Sequence, residues 1–256
     1  MSVLESFDLH GKTALVTGGS SGIGKTVALA YLEAGAQVAI AARNSEALRK
    51  VAGGLASAGD GRVLPICFDV TDPEQVTSMV AQVIAELGGI DIAVCNAGIV
   101  SVAGILDMPP EEFQRIQNTN VTGVFLTAQA AARAMVEQGR GGVIINTASM
   151  SGHIINIPQH VSHYCASKAA VIHLTKGMAV ELAPHQIRVN SVSPGYIRTE
   201  LVEPLAEYHA QWEPKIPLGR MGRPDELAGL YVYLASEASS YMTGSDIVID
   251  GGYTCP

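Results

Sequence analysis

Long apolar runs are missing from this sequence. No stretch approaches the roughly 18 to 20 unbroken apolar residues of a membrane span. The first ten residues carry Glu5 and Asp8 and lack the basic-then-apolar order of a secretory leader. Basic charge is also short. Sixteen Lys and Arg stand against 24 Asp and Glu, a formal net charge of -8. That balance argues against nucleic acid and acidic membrane surfaces as partners. The four cysteines (Cys67, Cys95, Cys165, Cys255) lie far apart with no C-x-x-C pair. Free thiols in a reducing cytosol are therefore expected, rather than disulfides or a zinc site. The seven histidines show no H-x-x-x-H spacing, so no catalytic metal is expected. Repeats, low-complexity tracts and linkers are absent as well. These absences predict a soluble, cytoplasmic protein that binds neither nucleic acid nor membrane.

What is present is a core. Of 256 residues, 48% are hydrophobic, enough for one large α/β domain or two small ones. Short apolar segments predict strands at 12–17, 37–42, 63–68, 91–95, 143–146, 187–192 and 246–249. Helical patterns fill the intervals: from the first glycine-rich turn to about 34, then 44–57, 71–87, 110–137, the stretch after 162 to about 182, and 225–235. The strands are too continuously apolar to have a wet face. Alternation of that kind predicts a parallel sheet covered by helices on both sides. The single long irregular piece expected is 195–222, rich in Pro and Glu and holding the sole tryptophan, Trp212. A segment of that size predicts a lid or binding loop.

Two stretches carry chemistry. Glycines crowd the first strand-to-helix turn, where a backbone can approach a phosphate at a helix N-terminus. Gly19-Ser20-Ser21-Gly22-Ile23-Gly24-Lys25-Thr26 fits the nucleoside-triphosphate pattern G-x-x-x-x-G-K-[ST]. The same residues fit Thr17-Gly18-x-x-x-Gly22-x-Gly24, a dinucleotide-binding variant. The second stretch pairs Tyr164 with Lys168. Four residues apart on a helix, both side chains leave one face. An ammonium beside a phenol favours the phenolate, which predicts a lowered Tyr164 pKa and an acid–base role at an alcohol or ketone oxygen.

Thr17 to Gly24, Asn96-Ala97-Gly98, Asn120, Ser149, Tyr164-Cys165-Ala166-Ser167-Lys168 and Pro194-Gly195 occur in an order that resembles the short-chain dehydrogenase/reductase family, over residues 9 to 253. The resemblance implies a single Rossmann-type domain over 1–256. Its doubly wound parallel sheet would have seven strands in order 3-2-1-4-5-6-7, with a substrate lid at about 196–222. It also implies four catalytic roles. Tyr164 is the general acid or base. Lys168 holds the nicotinamide ribose and lowers the Tyr164 pKa. Ser149 polarises the substrate oxygen. Asn120 holds a water leading from Lys168 to solvent. Gly18, Ser20, Ser21, Gly22, Ile23 and Gly24 would cradle the cofactor, with Asn96, Ala97 and Gly98 beside them. Asp69 and Val70 would lie at the adenine, and Pro194, Gly195, Ile197 and Thr199 at the nicotinamide. The helices starting near Pro110 and carrying Tyr164 resemble the family's tetramer-forming pair, so a homotetramer is expected.

At the end of the second strand, where an NAD-binding chain carries an acid, this sequence has Ala42 followed by Arg43 and Asn44. A guanidinium without a neighbouring carboxylate suits a 2'-phosphate, so NADP(H) is favoured over NAD(H). Ser149 stands fifteen residues before Tyr164 and Ser151 thirteen. The pattern Ser149-Met150-Ser151-Gly152 matches the family's serine followed three later by glycine. It selects Ser149 and leaves a two-residue insertion within 152–161 to line the substrate. That segment and Asp250-Gly251-Gly252-Tyr253-Thr254 resemble the polyol dehydrogenase and ketose reductase branch, which some stereoselective carbonyl reductases share. The expected substrate is a small ketone or secondary alcohol, a ketose/polyol pair first. A non-sugar ketone or 3-oxoacyl group is second, and a non-catalytic NADP(H) sensor is the reading from another class. Ser151, Asn156, His160 and Tyr208 are the candidate substrate contacts.

Overall fold

The computed structural model describes residues 2–57 and 61–255. Its apolar segments pair as one parallel sheet: β1 (Thr13–Thr17), β2 (Gln37–Ala42), β3 (Val63–Cys67), β4 (Ile92–Cys95), β5 (Gly142–Thr147), β6 (Ile187–Pro194) and β7 (Asp246–Ile249). The spatial order is β3-β2-β1-β4-β5-β6-β7. This is the doubly wound Rossmann arrangement, as expected.

Alternating side chains explain why both faces are covered. Leu15, Ala39, Ala93 and Ile144 point to one face. They pack under α3 (Pro73–Leu87), α5 (Gly123–Gln138) and α6 (Ser162–Leu182). Val16, Val38, Ile40, Val94 and Ile145 point to the other, under α1 (Gly22–Glu33), α2 (Ser45–Ala56) and α8 (Asp225–Ala235). The strand order reverses between β1 and β4. A crevice opens there at the strands' carboxyl ends, the usual ligand position in such sheets.

Three local expectations need correction. The single helix predicted over 110–137 is α4 (Pro110–Gln117), a π turn (Asn118–Thr122) and α5. The Gly123 N–H bonds the Asn118 carbonyl, five residues back. At Gly123 an added Cβ would lie 2.4 Å from Val70 Cγ2, so the chain packs against the end of β3 there without a side chain. The segment 195–222 is not irregular throughout. It holds short 3-10 turns at Glu203–Leu205 and Glu213–Lys215 around α7 (Ala206–Trp212). Pro204 and Pro214 are the second residues of those turns, where the N–H has no partner within the turn to lose. Trp212, Ile216 and Met221 gather with Met150 and Tyr196 into a third apolar cluster, which gives the segment its own small core. Finally, residues 96–109 form a second long connection without helix or strand.

All four cysteines are free thiols. Among the described residues, no helix is long and apolar enough to cross a membrane.

Candidate active site

The glycine turn shapes one end of the crevice. Gly18 (φ 66°) and Gly22 (φ 46°) occupy the left-handed region that favours glycine. Gly24 is buried and is not among the residues lining the crevice. An added Cβ there would sit 2.3 Å from the Gly18 carbonyl oxygen, so this glycine lets α1 pack against its own loop. Ser21 precedes α1 without a side-chain cap, which leaves the helix's first amides facing the crevice. Thr17 ties the turn to β4: its Oγ1 accepts the N–H groups of Asn96 (3.0 Å) and Ala97 (3.2 Å). Lys25 is exposed and lies outside this crevice. The Lys25-Thr26 match to the triphosphate pattern is therefore coincidental in this fold.

The crevice is a groove of about 350 Å³. Gly18, Ser20, Ser21, Gly22 and Ile23 form its floor, and Asn96, Ala97 and Gly98 its β4 wall. Arg43, Asn44, Asp69 and Val70 close the far end. Asn44 is engaged as the cap of α2 through Glu46 and Ala47 N–H. Arg43 is exposed, and among the described residues its guanidinium has no carboxylate partner within ion-pair distance. Hydrogen bonds from the Thr71 amide and hydroxyl, with Arg43 nearby, hold the Asp69 carboxyl below its ordinary pKa. Open helix amides and a free guanidinium are the donor set that a dinucleotide with several phosphates needs.

The groove continues past Ile23 and Thr199 into a recess lined by Tyr164, Lys168, Pro194, Gly195 and Ile197. Beyond it lies a smaller cavity of about 70 Å³, under the 195–222 segment. The two recesses share Ser149, Tyr164, Gly195, Leu201 and Val202. Only Ser149 and Tyr164 of these carry side-chain polar atoms, so a reacting oxygen at the junction meets those two hydroxyls. Ser151 lines the inner cavity alone. Ser149 Oγ donates to Ser151 Oγ at 3.0 Å and accepts the Ser151 N–H at 3.1 Å.

The electrostatics depart from the sequence expectation. Burial pushes the Tyr164 phenol up to about 12, and only its hydrogen bond with Ser149 opposes the rise. Burial also brings Lys168 down to about 8. Lys168 Nζ lies 5.7 Å from the Tyr164 ring centroid and donates to the Thr147 carbonyl at 2.8 Å. The ammonium reaches across to the end of β5 and lies over the ring. Desolvation therefore sets the direction of the Tyr164 shift.

Asn120 sits fully buried in the π turn. Its amide accepts the Ile99 N–H (2.9 Å) and donates to the Ile99 carbonyl (2.9 Å) and to Ser167 Oγ (3.0 Å). It thereby joins the 96–109 connection to α6. Gly98 passes between, where an added Cβ would lie 3.4 Å from Asn120 Oδ1 and 3.5 Å from Lys168 Nζ.

Of the four candidate substrate contacts, Ser151 and Asn156 line the inner cavity. His160 is exposed and outside it. Tyr208 is also outside, stacked at 6.0 Å on Trp212. Sequence reasoning missed Gln159, Tyr196 and Trp212, which line the cavity. The lone tryptophan in a segment rich in Pro and Glu was the one available signal.

A glycine-turn groove ending at a serine, a tyrosine and a buried lysine defines a nucleotide-dependent oxidoreductase. A family model described as Enoyl-(Acyl carrier protein) reductase matches residues 18–254. The chain is 44% identical, over 100% of its length and 92% of the relative's, to a probable NADP-dependent mannitol dehydrogenase of Yarrowia lipolytica. It is 44% identical, over 96% of the chain and 97% of the relative, to a sorbose reductase of Schizosaccharomyces pombe. A crystal structure of a short-chain type dehydrogenase/reductase from Mycobacterium marinum superposes with a TM-score of 0.98 at 80% identity, covering 100% of both chains. This chain belongs to the short-chain dehydrogenase/reductase family and acts as an oxidoreductase on alcohol and ketone groups.

Proposed function

We propose that the chain is an NADP(H)-dependent reductase of neutral ketoses, working in reverse on the matching polyols. The observation that carries the chemistry is the junction where Ser149 and Tyr164 alone offer side-chain polar atoms to both recesses. Ser149 donates to the carbonyl oxygen, and Tyr164 delivers the proton as negative charge develops there. Lys168, anchored on Thr147, holds the cofactor ribose and keeps positive charge against the Tyr164 ring. A bound nicotinamide supplies the hydride.

Arg43 beside the uncharged Ala42 supports a 2'-phosphate. The lining of the two inner recesses contains no cation except Lys168. A carboxylate enclosed there would lack a partner, so an uncharged sugar fits better than a sugar acid. The names of the mannitol and sorbose relatives point the same way. Residues 196–222 act as the substrate cover of a single domain. The exposed Phe113 and Phe125 on α4 and α5 support a homotetramer, which light scattering after size exclusion checks.

NADPH and NADH oxidation against neutral ketoses, ketoaldonates and plain ketones tests the reading. It expects turnover with NADPH on neutral ketoses and little on ketoaldonates. Tight NADPH binding with no turnover on any ketone would favour a sensor instead.

A further inference from the structure

Ser149 is the last extended residue before the 3-10 turn Met150–Gly152. The chain is fastened on both sides of it. On the entry side the Ala148 N–H bonds the Val192 carbonyl of β6 at 2.8 Å. The turn then closes through the Gly152 N–H on the Ser149 carbonyl and the His153 N–H on the Met150 carbonyl, both at 2.9 Å. Gly152 presses on α6, where an added Cβ would lie 2.9 Å from both the Lys168 carbonyl carbon and the Ala169 nitrogen. His153, the next residue, reaches the edge strand of the sheet. Its Nε2 lies 2.7 Å from Oδ2 of Asp246, the first residue of β7.

The Asp246 carboxylate is itself fixed. Its side chain is 7% exposed. Ser191 Oγ donates to Oδ1 at 2.6 Å, and Ser193 Oγ lies 2.9 Å from both oxygens. Both serines are fully buried on β6. A carboxylate only accepts, so His153 Nε2 carries the proton and donates. Among the described residues, this is the only side-chain hydrogen bond that ties residues 150–155 to the rest of the fold beyond Ser149.

We infer that His153 is a positioning residue for Ser149: its bond to Asp246 fixes the turn that aims the Ser149 hydroxyl at the junction of the two recesses. This assignment rests on the reading of Ser149 as the donor to the substrate oxygen. His153 lines neither recess, so it acts through the turn rather than by touching substrate. A misplacement of about 1 Å at a reacting group can cost about 10²-fold in rate, so one lost tether on a short turn is enough to matter.

The test measures kcat with NADPH and L-sorbose, together with the NADPH Kd, for His153→Leu and His153→Gln. Each is made with Ser149 intact and in a Ser149→Ala background. His153→Leu should lower kcat about tenfold and leave the NADPH Kd within about twofold of the parent. His153→Gln, whose amide can donate to Asp246, should keep kcat within about threefold of the parent. In the Ser149→Ala background, His153→Leu should cost less than about twofold more, because the group it positions is gone. A tenfold loss that persists in that background would overturn the assignment. So would a glutamine variant as slow as the leucine one, a leucine variant as fast as the parent, or NADPH affinity that falls together with kcat. If the unaltered chain does not reduce sorbose, or Ser149→Ala alone keeps the parental kcat, the underlying reading falls and the role of His153 with it. That outcome is distinct, because it is read without any change at His153.

Discussion

The cofactor groove and the substrate cavity are made of different material. The groove is largely main chain: glycines at positive φ, helix amides and the ends of β1 and β4. The cavity is mostly side chain, with Tyr196, Gln159 and Trp212 holding one another across sequence separations of 37 and 53 residues. A main-chain site tolerates no added atoms but asks little of side-chain chemistry. A side-chain site tolerates reshaping and changes its selectivity when reshaped. On the proposed function, the groove sets which cofactor class binds and the cavity sets which ketone reacts. Ser149 and Tyr164 stand where the two meet.

The largest expected effect comes from breaking that meeting point. Tyr164→Phe removes the proton donor and should cost about 10² to 10⁴ in kcat, with NADPH still bound, as read by cofactor fluorescence. The same phenol sets the pH dependence. With its pKa raised to about 12, Tyr164 is fully protonated near neutrality, so reduction should vary little through its titration there. Alcohol oxidation needs the phenolate, whose fraction grows about tenfold per pH unit below that pKa. The kcat/KM for oxidation should therefore climb between about pH 6 and 8. A plateau in that window would show that the bound complex restores the Lys168–Tyr164 coupling the sequence suggested.

Gly24→Ala attacks the groove instead. Its Cβ would lie 2.3 Å from a main-chain oxygen that has nowhere to move. Overpacking of this kind costs about 1–3 kcal/mol. The expected outcome is a lower Tm together with weaker binding of both NADPH and NADH. Retained Tm and affinity would show that the turn is softer than a main-chain site should be. Arg43→Ala is the mildest. It should raise KM for NADPH by about tenfold and leave KM for NADH unchanged, since the residue is exposed and bears on the 2'-phosphate alone. Equal effects on both cofactors would remove Arg43 from that role.

The same contrast explains how much could be read in advance. The strand and helix alternation, the glycine turn and the Tyr164–Lys168 pair are local patterns whose spacing encodes their geometry, whereas the strand order and the place of Asn96 to Gly98 were implied by the family resemblance; Ile23, Asn96, Gly98, Tyr164 and Lys168 line one recess. The π turn at Asn118–Thr122 was not legible, because Pro110 to Glu137 reads as one unbroken helical stretch. Helix within 203–215 is hidden because its prolines suggest loop, although within the first turn of a helix a missing N–H is tolerated. His160 and Tyr208 were chosen for polarity alone. Polarity cannot say which residue of a loop turns inward. Helical spacing gives Tyr164 proximity to Lys168 but not the direction of the ammonium, which bonds Thr147, so burial raises the phenol pKa instead.

Ser149→Ala tests the division of labour most directly, with NADPH affinity and kcat on a neutral ketose measured for the same preparation and Ser151→Ala alongside. Ser149→Ala should bind NADPH within about twofold of the parent and lose about 10² or more in kcat, whereas Ser151→Ala should keep most of its turnover. Near-normal turnover in Ser149→Ala, the reverse ranking of the two serines, or a matching collapse of NADPH affinity would contradict that division.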